Sequence, residues 1–217
     1  MERIFANLYR FGGAPNKRGT SHTYLLVRKE GSLLVCHQSG PSAGDMDEIE
    51  RLGGLDSQWV SHHHDINRDG LHQDLHDRFG CKLHHHRTDR RGVRGKTKCP
   101  VVQFGDEGVR HGSDFEALFF PTCSAGHSVY RWRHRGRYYL FTSHAIYLRD
   151  NKWDLQFNPH RVSLWRPQLA ELAKLRVDYV FPGYIGPGEE PFYRLDDKLK
   201  RSLSRALRAK FKQTAPG

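Results

Sequence analysis

VSHHHDINRDG, running from Val60 to Gly70, sets three histidines and an aspartate directly behind a short apolar run and closes on a glycine. Trp59, Val60 and Ser61 read as the end of a strand, and the polar loop begins where they stop. Loops at strand ends commonly present metal-binding and catalytic groups, because the strand fixes the backbone while the loop supplies side chains. His62 and His64, one residue apart, point to the same side of an extended segment and can share one ion. The plainer alternative is a surface histidine cluster with no ligand role.

Upstream of this loop, residues 3–11 suggest a first strand. Residues 22–27 and 32–36 flank a short turn ending at Gly31 and predict a hairpin. A helix is expected over 44–52, with Met46, Ile49 and Leu52 at helical spacing, acidic residues in its first turn and Gly53-Gly54 to stop it. Downstream, Leu71, Leu75 and Phe79 predict a helix over 70–79 that Gly80 ends. A short strand over 81–83 then runs into His84, His85 and His86, which are expected to be exposed or to form a basic rim, the alternative being that they line the same cleft as the His62 loop. Residues 89–99, rich in Gly, Arg and Lys, read as an exposed loop.

Further strands are expected at 101–104 and 117–121. A second hairpin pairs 129–132 with 138–142 across 134–136. Pro167 in a first turn predicts a helix over 167–175, followed by a strand over 177–181. The last helix, 196–211, carries Leu199, Leu203, Leu207 and Phe211 as an apolar stripe. Lys198, Arg201, Arg205, Arg208 and Lys212 form its solvated basic face. Each half of the chain thus offers a hairpin followed by alternating strands and helices, the pattern of two packed mixed sheets with outer helices.

The 217 residues suffice for one sizeable core and suggest a single domain over 1–217. A net charge of +11 and a pI of about 9.7 favour anionic partners. Four scattered cysteines without a Cys-x-x-Cys pair define no zinc ribbon or disulfide framework, and a reducing cytoplasm is the plain expectation. The N-terminal residues lack the apolar core of a signal peptide, and no run is long enough to span a membrane.

Four strand-end loops, in this order along the chain, resemble the metallo-β-lactamase superfamily, and the likeness covers nearly all of the sequence. The leading motif of that family, T-H-x-H-x-D-H-x-G-G, falls on residues 61–70 and matches at His62, His64 and Gly70. Ile66 stands at the place of its Asp and Asn67 at that of its next His. The Pro-Gly-His-Ser/Thr turn of the family reads Ala125-Gly126-His127-Ser128 here. His144 takes the position of the bridging Asp, and Pro182-Gly183-Tyr184 replaces a terminal Pro-Gly-His.

The resemblance implies a four-layer αββα sandwich of two mixed sheets, an α/β (α+β) architecture. It also implies that every histidine of the first metal site is kept while each unshared ligand of the second is lost. Ile66 has no donor atom, and Tyr184 is a poor ligand unless deprotonated. A mononuclear site of His62, His64 and His127 follows, with His144 either a fourth ligand or a hydrogen-bond partner of a bound water. Imidazoles suit one zinc or iron ion per chain and do not suit magnesium or calcium.

Three histidines plus water make an open site that lowers the pKa of that water towards ~7. Asp65 is a candidate base, or an orienting partner of a histidine. Tyr184 is a candidate oxyanion donor, and Cys123 reads as a small buried residue.

The function implied is a metal-dependent hydrolase of an anionic small molecule: an ester, thioester, lactone or phosphoester. Two alternatives stand beside it. One is a mononuclear iron oxygenase like the persulfide dioxygenases of the family. The other is a non-catalytic protein that binds an anion or a nucleic acid through its basic surface.

Overall fold

Two sheets carry the chain, and the computed structural model describes residues 1–12, 19–66, 70–186 and 190–213. The first sheet opens as an antiparallel meander of β1 (Glu2–Phe5), β2 (Leu8–Gly12), β3 (Thr20–Leu26) and β4 (Leu33–Cys36). It continues in parallel through β5 (Ser57–Val60), β6 (Lys82–His86) and β7 (Val101–Phe104). Parallel neighbours require crossovers, which α1 (Ala43–Arg51), α2 (Leu71–Phe79) and α3 (Arg90–Arg94) supply. Local chemistry sets their ends. Ser42 and Asp45 form a reciprocal capping box on α1, and Gly80 closes α2 in the left-handed region at φ 72°.

The second sheet is built from β8 (Val109–His111), β9 (Phe115–Phe119), β10 (Ser128–His134) and β11 (Arg137–Ser143), all antiparallel. A separate hairpin of β12 (Ile146–Arg149) and β13 (Lys152–Leu155) and then α4 (Val162–Leu172) lead to β14 (Tyr179–Pro182), which pairs in parallel with β11. The two residues of β15 (Tyr184–Ile185) leave this sheet and pair with β3 of the first. The chain returns through β16 (Tyr193–Arg194) and ends in α5 (Asp197–Gln213).

Burial separates four layers. Ile49, Leu75 and Val93, one from each of α1 to α3, pack on the outer face of the first sheet with Leu34, Val60 and Leu83. Trp165, Leu169, Leu203 and Leu207 of α4 and α5 cover the outer face of the second with Val129, Leu140 and Val180. Between the sheets lies an aromatic core of Tyr24, Trp59, Phe115, Tyr130, Trp132, Phe141 and Phe181. Truncating a fully buried ring such as Trp59 to alanine costs about 3–5 kcal/mol. The architecture is therefore the αββα sandwich expected from the sequence.

Hydrogen bonds from this core pin the strand ends that carry the polar loops. Tyr130 Oη donates to the carbonyl of Val60 at 2.6 Å, and Tyr24 Oη donates to that of Pro182 at 2.6 Å. The amide of Ser128 donates to the carbonyl of Ser61 at 2.9 Å, joining the two sheets directly beside His62 and His127.

Several local expectations are corrected. Residues 3–11 form two strands, β1 and β2, with a tight turn between them. The strand expected at 81–83 extends to His86: both faces of this sheet are covered, so the adjacent His85 and His86 are both buried, and His84 stacks on Trp59 at 4.1 Å between ring centroids. These histidines are neither exposed nor a basic rim. Residues 89–99 are not an exposed loop: they contain α3, and Val93, Cys99 and Asp89 are buried. One valine and one cysteine anchor that segment, too few apolar residues to produce a readable period. Helix α4 starts at Val162 after a 3-10 turn over Pro159–Arg161, so Pro167 lies inside it and not in its first turn.

Candidate metal centre

In the parallel part of each sheet the polar loops sit at the carboxyl ends of the strands, where open α/β sheets place their ligand sites. His37 follows β4, His62 follows β5 and Asp89 follows β6. His144 follows β11 and Gly183 follows β14, while the loop ahead of β10 brings Cys123 and His127 to the same edge. Two sheets packed face to face thus direct one rim of loops towards one volume.

His62 ends its strand in extended backbone, but residues His63–Asp65 coil into a 3-10 turn. The expectation that His62 and His64 lie along an extended segment is corrected by this turn. It buries His62, leaves His64 exposed and keeps the two rings 4.9 Å apart between centroids. The same turn swings Asp65 inward and sends Ile66 into the apolar layer beneath α1 and α2. Residue 65, not residue 66, therefore delivers the carboxylate to the rim. Asn67, at the position of the next histidine of the family motif, lies outside the described residues.

The Asp65 carboxylate is engaged through one oxygen. Its Oδ2 accepts from His62 Nδ1 at 3.0 Å, from His37 Nδ1 at 3.2 Å and from Ser143 Oγ at 2.9 Å. Burial alone would raise its pKa, but the His62 charge and the bonds from His37 and His62 outweigh it and hold the carboxyl well below the usual range. For His62, burial opposes the charged ring and Asp65 overcomes it, raising the pKa to about 10.

His127 is fixed differently. Its Nδ1 donates to the carbonyl of Phe120 at 2.9 Å, and since a carbonyl can only accept, the neutral ring carries its lone pair on Nε2. Burial, with the charges of His62 and His144, pushes its pKa well below the ordinary histidine value. The Nε2 atoms of both His62 and His127 are buried without a hydrogen-bond partner. Their rings lie 5.1 Å apart, and that of His144 lies 4.7 Å from His62 and 5.7 Å from His127. Buried orphan nitrogens on two rings, each oriented through its other nitrogen, are the donor arrangement that a metal ion satisfies.

His144 is half-buried, and its Nδ1 lies 3.2 Å from Ser143 Oγ. Ser143 adopts φ 52°, uncommon for a residue with a side chain, and the turn it makes lets one hydroxyl meet both Asp65 and His144. Tyr184 lies on β15 with its backbone paired to Ser21, half-buried beside the last strand of the rim.

Two residues of the rim, Asp89 and His37, were not singled out by sequence reasoning, and the reading of a third, Cys123, as a small buried residue is corrected. Cys123 is only half-buried and lies 3.8 Å from His64 Nδ1. Burial would raise its thiol pKa, but the neighbouring His144 and His62 lower it to about 5. Asp89 accepts from the amide of His63 and from Ser124 Oγ, each at 2.9 Å, and so ties the His62 loop to the Cys123 loop. His37 orients Asp65 from the opposite side. A cysteine four residues ahead of a motif histidine is a signal that was present; Asp89 and His37 carry none, because only tertiary packing brings them in.

No protein-family model and no characterised protein sequence matches the chain. Solved structures do match its fold. Metallo-β-lactamase SMB-1, in complex with mercaptoacetic acid, has a TM-score of 0.65 at 15% identity, covering 98% of this chain and 94% of that one. The metallo-β-lactamase of Cronobacter sakazakii gives 0.63 at 18% identity, covering 97% and 95%. MIM-1 from Novosphingobium pentaromativorans gives 0.61 at 18% identity, covering 98% and 88%. The chain has the metallo-β-lactamase fold, and its rim of strand-end loops carries a histidine cluster with one cysteine.

Proposed function

We propose that this protein is a metal-dependent hydrolase working through a single ion held in the cluster of His62, His64, His127 and His144. The observation that carries the reading is the pair of buried Nε2 atoms on His62 and His127, without hydrogen-bond partners and on rings 5.1 Å apart. A zinc or iron ion there would supply Lewis-acid polarisation of a carbonyl or phosphoryl group and a water of lowered pKa.

The protein's own groups do the rest. Asp65 holds His62 in one ring orientation, and the carbonyl of Phe120 does the same for His127. With its Oδ2 accepting three hydrogen bonds, Asp65 is better placed to orient than to take a proton from water. His144 is half-buried and His64 exposed, so these two rings lie on the solvent side of the cluster, the side from which substrate would arrive. Tyr184 is retained as a candidate donor to a developing oxyanion. The excess of positive charge favours an anionic ester, thioester or phosphoester.

The loss of every unshared second-site ligand argues against a two-ion mechanism. Ile66 is buried in the apolar layer, and the inward carboxylate of Asp65 is occupied by His37 and Ser143. The test is turnover of a panel of chromogenic esters and phosphodiesters by metal-loaded protein. Activity should vanish with a chelator, return with the ion and be absent in His127→Ala. Failure across the panel, together with binding of nucleic acid that weakens steeply with salt, would transfer the assignment to a binding protein.

A further inference from the structure

Among the described residues, one set of three potential ligands has donor atoms all within 4.8 Å of one another, and it consists of His62, Cys123 and His144. Small side-chain torsions bring such a span within reach of one ion bonding nitrogen at about 2.0 Å and sulfur at about 2.3 Å. The backbone around Cys123 is held: the amide of Thr122 donates to Phe120, the carbonyl of Thr122 accepts from Asn158, and Ser124 is bonded to Asp89. Gly126 permits this path, since a Cβ there would meet Asp89 at 2.8 Å. The sulfur is therefore presented to the histidines by a fixed loop. His62 Nε2, on a side chain with no exposed surface, faces the same volume without a partner. Cys36, Cys81 and Cys99 are buried in the apolar layer beneath α1 to α3, whereas Cys123 opens towards the rim.

Accepting that the cluster holds an ion, we propose that Cys123 is one of its ligands, as a thiolate. The centre is then a His62–Cys123–His144 site, with His127 on its buried side. On binding, the thiol gives its proton to water and the sulfur lone pair makes the bond. The donor set changes the chemistry expected of the site. A thiolate among imidazoles is a soft combination that selects zinc over iron. It also lends the ion electron density, so the bound water is less acidic than it would be with imidazoles alone. And it argues against the iron-oxygenase alternative.

The test is titration of metal-free, full-length protein with cobalt(II), a spectroscopic stand-in for zinc. The expected spectrum contains visible ligand-field bands and an intense near-ultraviolet band from sulfur-to-cobalt charge transfer. In Cys123→Ser the near-ultraviolet band should be lost while the visible bands persist. A second readout needs no variant: alkylation of Cys123 by iodoacetamide, followed by mass spectrometry, should be suppressed by zinc and restored by chelator. Visible bands without the charge-transfer band, and alkylation indifferent to zinc, would overturn the cysteine ligand and leave a histidine site standing. No cobalt spectrum at all would overturn both the ligand and the metal reading it rests on.

Discussion

Asp65 Oδ2 sits 3.0 Å from His62 Nδ1 and on the same oxygen accepts from His37 and Ser143, so one buried carboxylate aligns β4, β5 and β11 at the rim. Replacing it with Asn keeps the shape and removes the charge. Asp65→Asn should weaken zinc binding by about 10–100-fold, the usual effect of losing the partner behind a ligating imidazole. Competition against a chromogenic chelator measures this. Unchanged affinity would show that His62 needs no orientation from Asp65.

Gly183 explains a landmark that the sequence displays without its reason. A Cβ at residue 183 would lie 2.4 Å from the His37 ring, so the strand can pass there only with a bare backbone. Gly183→Ala should displace His37 from Asp65 and destabilise the fold by about 1–3 kcal/mol, the common cost of overpacking. Denaturant unfolding would register this as a lower midpoint with an unchanged slope.

His72 predicts a pH dependence away from the rim. It lies on α2 with its side chain buried, its Nδ1 is 2.8 Å from Gln58 Oε1, and burial lowers its pKa from 6.5 to about 4. The unfolded imidazole takes up a proton near pH 6.5 and the folded one only near pH 4. Between those values the unfolded state binds more protons, so stability falls as the pH drops through that window and is fully present above it. In metal-free protein, His72→Gln should reduce the loss between pH 7 and pH 5 by roughly 2 kcal/mol relative to the parent. Equal losses in both proteins would contradict a neutral buried His72.

Asp89 binds two loops that must stay in register for Cys123 to face His62. Asp89→Ala should raise the rate of Cys123 alkylation in metal-free protein and weaken zinc binding, with Cys36, Cys81 and Cys99 remaining protected. Alkylation kinetics resolved by peptide mapping would check it. An unchanged rate would mean that the Cys123 loop holds its position without this carboxylate.

Much of the frame was legible because its signals are local. Strand alternation, the glycines after α1 and α2 and the stripe of Leu203 and Leu207 on α5 are each contained in a few consecutive residues. His62, His127, Gly126 and the Pro182-Gly183 pair were visible as motif positions at strand ends. What could not be read depends on rotation and on distant packing. Whether residue 65 or residue 66 turns inward is decided by a 3-10 turn that no periodicity announces. His37 and Asp89 reach the rim from loops 25 and 27 positions away from His62, through sheet pairing alone. Cys123 was passed over because a lone cysteine is more often a small core residue, and only its neighbours in space show otherwise.

The most direct test of the central claim is elemental analysis of untagged protein, as purified and after reconstitution with zinc, alongside His62→Ala. About one ion per chain in the parent, and none retained by the variant, is the stoichiometry that one ion bound at His62 requires. No bound metal in the parent even after reconstitution, or the same content in His62→Ala, would contradict it.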